Sequence, residues 1–153
     1  MNRRTFLRTA GASSLVSVGL AGCTTRAGPS DGAASDETLV EMTPDDAFEP
    51  AELTVSPGET VVWKTVGSLG VDALTADHTA TAYEDGIPDD AAYFASGDFS
   101  SEQAARDGYA SGDEGGVDGG DTYEYTFDVP GRYEYFCIPH EAHMTGVIVV
   151  EDN

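Results

Sequence analysis

The chain has 153 residues, of which 28 are acidic and 7 are lysine or arginine, so its formal net charge at pH 7 is −21. The sequence contains no basic patch to neutralise phosphates, which excludes a nucleic-acid-binding protein. Self-repulsion of this size destabilises a small domain at low salt, whereas at about 1 M salt a Debye length of about 3 Å screens most exposed pairs. The composition therefore indicates a salt-rich environment, with a docking surface for a basic partner as the alternative.

The first 22 residues have the pattern of an export signal. A pair of arginines lies within residues 2–7, and a weakly apolar stretch follows over residues 9–22. Serines and glycines interrupt this stretch, and it is shorter than the ~20 residues that a spanning helix needs. We therefore predict a twin-arginine signal over residues 1–22 rather than a permanent transmembrane helix.

The predicted signal ends in Leu20-Ala21-Gly22-Cys23, which has the form of a lipobox. Cleavage before Cys23 would leave this cysteine at the new N-terminus, where it would carry a lipid. The alternative is a small-residue cleavage site with an incidental cysteine. We predict lipid attachment at Cys23 and hence a protein anchored to the outer face of the cytoplasmic membrane. Because the other cysteine, Cys137, is a candidate metal ligand, no disulfide is expected despite the even count.

Residues 23–40 are predicted to be a flexible linker, and residues 41–153 a single domain. The linker is rich in small and polar residues without apolar periodicity, and the remainder has the size of one domain. Short strand signals with aromatic alternation are separated by Pro-Gly turns, which predicts an all-β sandwich. The signals cover residues 53–56, 60–64, 79–83, 122–129, 132–137 and 147–150.

The connection between residues 84 and 121 is long and acidic. Ser100-Ser-Glu-Gln103 has the form of a capping box and predicts a short helix that runs through Arg106 and ends at Gly108. The carboxylates of residues 107–121 do not fall at the positions of a calcium loop. A solvated surface loop is therefore expected there, with calcium binding as the alternative.

The strongest chemical signal lies near the C-terminus, where Cys137, His140 and Met144 follow a predicted strand. A tight bend after that strand can bring a thiolate, an imidazole and a thioether around one point. A distant histidine would then complete a His₂Cys site with a weak axial thioether, which is the ligand set of blue copper. Of the 3 histidines in the chain, His78 is the candidate for this ligand, because it opens a stretch typical of a strand.

Single residues of this set also fit roles unrelated to copper. His143 directly precedes Met144 and is the alternative to it as a ligand, although an exposed loop position is favoured for His143. Cys137 by itself would more often be a buried structural thiol, and a Cys/His pair is also a basis of nucleophilic catalysis. No orienting residue or oxyanion loop accompanies the pair, so a metal site is preferred.

Alternation along the last predicted hairpin determines which side chains face the core. It places Tyr133, Tyr135 and Cys137 on one face and Glu134 and Phe136 on the other. The thiolate should therefore point into the core. Phe136 is expected to pack under a neighbouring loop, with a place on the route of an electron as the alternative.

Four segments together resemble the cupredoxins, and most closely the halocyanin-type small blue copper proteins of halophilic archaea. The segments are residues 47–63, 78–85, 133–140 and 146–150. The resemblance implies a single-domain Greek-key β-sandwich that binds one copper ion. His78, Cys137 and His140 would be its equatorial ligands and Met144 its axial ligand. One departure is that only residues 141–143 separate His140 from Met144, where plastocyanin-like loops usually have one residue more.

The resemblance also implies a one-electron carrier between a protein donor and a protein acceptor, expected to be membrane-bound respiratory components. The exposed edge of His140, next to Pro139 and Ala142, would be the port for the electron, and a monomer is expected. The alternative is copper delivery or sequestration outside the cytoplasmic membrane. Enzymes with this type of domain, such as nitrite reductases, need further histidine clusters that 3 histidines cannot supply, so no enzymatic activity is expected.

Overall fold

Strands dominate the part of the chain that the structure describes. The computed structural model describes residues 38–67 and 77–152, and no helix within these ranges is long and apolar enough to cross a membrane. The predicted signal, Cys23 and most of the predicted linker lie outside the described residues. The elements are β1 (Thr38–Thr43), β2 (Ala47–Glu49), β3 (Glu52–Val55), β4 (Glu59–Thr65), β5 (Thr81–Ala82), α1 (Glu102–Gly112), β6 (Thr122–Phe127), β7 (Gly131–Phe136) and β8 (Thr145–Val150), with short 3₁₀ turns at Glu84–Gly86 and Ile138–His140.

The strands form two 4-stranded sheets, in the orders β2-β1-β4-β6 and β3-β8-β7-β5. β1 runs parallel to β4 and β3 parallel to β8, whereas the remaining neighbours pair antiparallel. Neighbours within a sheet are mostly not consecutive in the chain, so the connections cross between the sheets as in a Greek key. The predicted all-β sandwich is confirmed.

The core between the sheets is mainly aromatic. Trp63 of β4 lies at its centre with 0% exposure, 5.5 Å from the ring of Tyr135, 5.8 Å from Phe94 and 6.2 Å from Phe127. Large rings contribute much of the apolar area that a small domain buries. Tyr135 stands on the same face of the hairpin as Cys137, so this cluster supports the strand end that carries the cysteine.

The domain begins earlier than predicted. Residues 38–40 were predicted as the end of the linker, but they form the first half of β1. Val40 is fully buried and is paired with Trp63 of β4. β1 alternates only weakly and β2 has 3 residues, so both were missed by sequence patterns. Pairing with β4, rather than local propensity, defines β1.

The predicted helix exists, but its limits differ from the prediction. The N-cap is Ser101, whose Oγ accepts a hydrogen bond from the Ala104 N–H at 3.1 Å, so the capping box at Ser100 is wrong. The helix also continues past Gly108 to Gly112. A Cβ at Gly108 would lie 2.4 Å from the Phe99 ring, so this glycine allows close packing instead of ending the helix.

The acidic loop after α1 is anchored to the site rather than wholly solvated. Val117 is only 5% exposed, and its N–H donates to the His78 carbonyl at 2.7 Å. Its own carbonyl accepts from the Thr65 hydroxyl at 2.7 Å. The prediction of a surface loop is therefore wrong at Val117, which forms a bridge with the segment that carries His78.

The predicted alternation along β7 is confirmed. Tyr133, Tyr135 and Cys137 are buried in the core, and Glu134 is exposed. Phe136 points to the other face but is also fully buried, because it stacks on Tyr83 with the ring centroids 4.3 Å apart. The expectation that Phe136 packs under neighbouring segments is confirmed.

Candidate metal centre

The loop from Cys137 to Met144 joins β7 to β8 and is closed by its own backbone. The Cys137 N–H donates to the Met144 carbonyl at 3.0 Å, and the Met144 N–H donates to the His140 carbonyl at 2.9 Å. A further turn bond, from the His140 N–H to the Cys137 carbonyl, is 3.1 Å long. Since β7 and β8 pair up to Phe136 and Thr145, the loop is the tight bend that the residue spacing predicted.

His78 reaches this loop from the segment before β5. The prediction of a strand over residues 79–83 is only partly confirmed, because β5 is limited to Thr81–Ala82. Thr79 ties the two segments together: its N–H points to Cys137 Sγ at 3.4 Å, and its hydroxyl accepts from the Ile138 N–H at 2.8 Å. These contacts fix the position of His78 relative to Cys137.

The three predicted equatorial ligands converge. Cys137 Sγ lies 3.7 Å from Nδ1 of His78 and 3.5 Å from Nδ1 of His140, and the ligand atoms of the three residues are within 4.8 Å of one another. Bonds of about 2.0 Å to nitrogen and about 2.3 Å to sulfur, at about 120°, put the two atoms about 3.7 Å apart. The two sulfur–nitrogen separations therefore suit a first-row metal ion.

Met144 occupies the position expected of a fourth ligand, and His143 does not. Met144, the last residue of the loop, is fully buried. The His143 side chain is 59% exposed, and its Nε2 lies 3.4 Å from Asp46. The exposed loop position predicted for His143 is confirmed.

Burial favours the neutral forms of Cys137 and His78 in the metal-free site. It raises the pKa of the Cys137 thiol to about 11, although hydrogen bonds from Thr79 and His140 act in the opposite direction. Burial also lowers the pKa of His78, and the neighbouring His140 lowers it further. A thiol must lose its proton to bind a metal, so metal binding at this site releases a proton.

Asp46 is a residue of the site that sequence reasoning missed. It follows β1 in a left-handed conformation with φ 57°, and its N–H donates to the Thr43 carbonyl at 3.0 Å. One carboxylate oxygen lies 3.4 Å from Nε2 of His140 and the other 3.4 Å from Nε2 of His143. A proton held on Nε2 of His140 leaves Nδ1 free as a ligand. No sequence signal pointed to Asp46, since it lies far from the ligand loop in the chain.

A His₂Cys set with a methionine, held at the end of a two-sheet sandwich, defines a mononuclear copper protein. Residues 37–151 match the family model of the copper binding proteins of the plastocyanin/azurin type. The match covers most of the chain, so the chain belongs to the plastocyanin/azurin family and copper is its metal. His78, Cys137, His140 and Met144 are positioned as a type 1 copper site.

Relatives and solved structures agree with this assignment. A plastocyanin of Scenedesmus fuscus is 32% identical over 105 residues, covering 68% of this chain and 86% of the plastocyanin. Halocyanin of Natronomonas pharaonis is 27% identical over 106 residues, covering 69% of this chain and 48% of the halocyanin. The Cu-containing nitrite reductase of Thermus scotoductus SA-01 superposes with a TM-score of 0.53 at 24% identity, covering 76% of this chain and 23% of that chain. This last likeness shows the fold alone. The similarity establishes the family, and it does not single out the halocyanin type.

Proposed function

We propose that the protein is a type 1 copper electron carrier that passes single electrons between protein partners. The observation that carries the proposal is the buried triangle of Cys137 Sγ and two Nδ1 atoms, with sulfur–nitrogen separations of 3.7 and 3.5 Å. Backbone hydrogen bonds and the Thr79 contacts hold this triangle before any metal binds. Ligands held in this way move little when the oxidation state changes, which favours fast one-electron exchange.

Each residue of the site has a distinct role in this proposal. Bound copper supplies the one-electron couple. Cys137 provides the thiolate, and the Thr79 N–H at 3.4 Å stabilises charge on its sulfur. When copper is bound, His78 and His140 would hold it together with Cys137, and the buried thioether of Met144 would tune its reduction potential.

His140 is the port for the electron in this proposal. Its side chain is 28% exposed, whereas His78, Cys137 and Met144 are between 0% and 1% exposed. Pro139 is exposed beside it, as expected of an apolar contact surface. Asp46 adds a carboxylate to the same edge, so the docking surface includes a negative charge next to its apolar part.

The location of the protein is part of the proposal. An export signal over residues 1–22 and a lipid on Cys23 would anchor the domain at the outer face of the cytoplasmic membrane, within reach of membrane-bound donors and acceptors. Support comes from the sequence patterns alone, since residues 1–37 lie outside the described ranges. Mass spectrometry of the mature N-terminus, with Cys23→Ala as the control, tests this. An unmodified Cys23 in the isolated protein would rule the anchor out.

The decisive experiment is spectroscopy of the chain loaded with Cu(II) in molar salt. An intense blue thiolate-to-copper band and a type 1 electron paramagnetic resonance signal are expected. Both should disappear in Cys137→Ser and in His78→Ala, and both should persist in His143→Ala, because His143 is exposed and faces Asp46.

Copper delivery or sequestration is the alternative that the same experiment addresses. Weakly coloured copper binding that persists in Cys137→Ser would contradict the electron-carrier proposal. Release of copper to a chelator from the two oxidation states gives a second criterion. A carrier should retain copper in both states, because three of its four ligands are buried, whereas a delivery protein should release copper readily from one of them.

A further inference from the structure

Helix α1 contacts the copper-ligand loop through one arginine. The Arg106 guanidinium forms two hydrogen bonds with the Glu141 carboxylate, at 2.8 and 2.9 Å, and two with Glu102, at 2.8 and 2.9 Å. Glu141 directly follows the ligand His140 in the chain. The three side chains are between 23% and 38% exposed, so water screens this network less than a fully exposed ion pair.

The same guanidinium also lies over the ring of Phe136, the residue before Cys137. Its central carbon lies 4.4 Å from the centroid of the Phe136 ring, and Phe136 directly precedes Cys137. A cation at this distance from a ring face is attracted to it. Arg106 therefore contacts the residue before Cys137 and the residue after His140.

The network extends to the segment that carries the third equatorial ligand. The Glu102 carboxylate, which binds Arg106, also accepts a hydrogen bond from the Glu84 N–H at 3.1 Å. Tyr83, the residue before Glu84, stacks on Phe136. This segment continues β5, which follows His78 in the chain. Both segments that carry the equatorial ligands are thus linked to Arg106, the second of them through Glu102.

We propose that Arg106 is a positioning residue of the copper site, and that α1 serves as a clamp that holds the Cys137–Met144 loop in one geometry. The role rests on the proposed copper chemistry, because its benefit is a ligand set that does not rearrange between oxidation states. It also gives a function to the long connection between β5 and β6.

Arginine suits this role better than lysine. A planar guanidinium can bind both oxygens of Glu141, direct two further N–H groups to one oxygen of Glu102, and stack on an aromatic ring at the same time. Lysine keeps the charge but provides neither the fork nor the stacking plane. Arg106→Lys should therefore restore only part of what Arg106→Met loses.

The test compares Arg106→Met with Arg132→Met as a matched control. Arg132 also binds two carboxylates, those of Glu52 at 3.3 Å and Glu134 at 3.2 Å. It lies at the far end of β7, about 17 Å from Cys137 at about 3.3 Å per residue. Glu141→Gln keeps the shape of the partner and removes its charge, so it tests the same contact from the other side and keeps the test decisive if Arg106→Met folds poorly.

Two measurements distinguish positioning of the copper ligands by Arg106 from a general stabilisation of the fold. In the copper-free protein, amide hydrogen exchange in residues 138–143 should become roughly tenfold faster in Arg106→Met and Glu141→Gln, and stay unchanged in Arg132→Met. In the Cu(II) protein, the energy of the thiolate-to-copper band should shift and the electron self-exchange rate should fall roughly tenfold. Arg106→Lys should give intermediate values for both.

The proposal is overturned if Arg106→Met lowers the melting temperature while loop exchange, absorption band and self-exchange rate match those of Arg132→Met. Arg106 would then only stabilise α1. If the unsubstituted protein itself shows no blue band, the electron-carrier proposal fails instead, and amide exchange in the copper-free protein still decides whether the clamp exists.

Discussion

At the scale of single residues, the metal-free state of Cys137 follows from its surroundings. The side chain is fully buried, and the hydrogen bonds from Thr79 and His140 offset the effect of burial only in part. Burial therefore dominates and raises the pKa of the thiol to about 11. The resting thiol is therefore neutral and unreactive, and it becomes a thiolate when a metal cation binds.

We expect Cys137 of the copper-free protein to resist alkylation by iodoacetamide at pH 8. In a Cys23→Ser chain, where Cys137 is the sole thiol, the rate should rise as the pH approaches 11, whereas the urea-unfolded chain should titrate near a pKa of about 8.5. Because the folded thiol has the higher pKa, its contribution to stability is present below about pH 8.5 and is lost as the pH rises towards 11. Equal rates for folded and unfolded chains at pH 8 would contradict this.

Asp46 acts on the site through its charge. Its carboxylate lies within 3.4 Å of the ring of the ligand His140, and a negative charge there favours the more positive oxidation state of a bound metal. The left-handed conformation at φ 57° is one that asparagine also tolerates. The charge can therefore be removed without straining the turn.

Asp46→Asn should raise the reduction potential of the copper site, on the order of tens of millivolts at low salt, because the oxidised form loses a nearby negative charge. Protein-film voltammetry measures the shift. Asp45→Asn is the control, since Asp45 is an exposed neighbour with the same charge. Identical shifts in the two variants would mean that net charge, and not the contact with His140, is responsible.

At the scale of elements, α1 shows how packing overrides helix propensity. Glycine is a poor helix former, yet α1 contains Gly108 in its interior and Gly112 at its end. The Phe99 ring occupies the space that a side chain at Gly108 would need. At Gly112 nothing lies within 4 Å of an added Cβ.

Substitution by alanine should therefore destabilise the protein at Gly108 but not at Gly112. Gly108→Ala should lower the free energy of unfolding by about 1–3 kcal/mol, because a Cβ 2.4 Å from Phe99 forces the ring to move. Gly112→Ala should be neutral or stabilising by up to about 1 kcal/mol. Urea unfolding of both variants measures this. Stabilisation by Gly108→Ala would show that Phe99 moves aside at little cost.

At the scale of the whole molecule, the excess of acidic residues dominates the electrostatics. The chain has 28 acidic residues against 7 basic ones. Arg106 and Arg132 are each already paired with two carboxylates. Most carboxylates therefore repel one another across the surface of the sandwich, and salt is needed to screen them.

Stability should rise steeply with ionic strength. Between about 0.05 and 1 M KCl we expect the melting temperature to increase by several degrees, since about 1 kcal/mol of relieved repulsion corresponds to about 4 °C in a domain of this size. Calorimetry of the copper-free protein measures it, with an equal osmolality of sucrose as the control. A melting temperature independent of KCl would show that the charges are too far apart to matter.

Local patterns predicted the ligands of the Cys137–Met144 loop and the strand that precedes it. Cys137, His140 and Met144 lie close together in the chain, and the alternation of β7 concerns consecutive residues. The ligand loop and the faces of β7 could therefore be predicted from the sequence. β1, Asp46 and the contact of Arg106 with Glu141 could not, because each depends on residues that are distant in the chain. These residues come together only when β1 pairs with β4, the two sheets pack and α1 docks beside the ligand loop. Such tertiary contacts leave no periodic pattern in the local sequence.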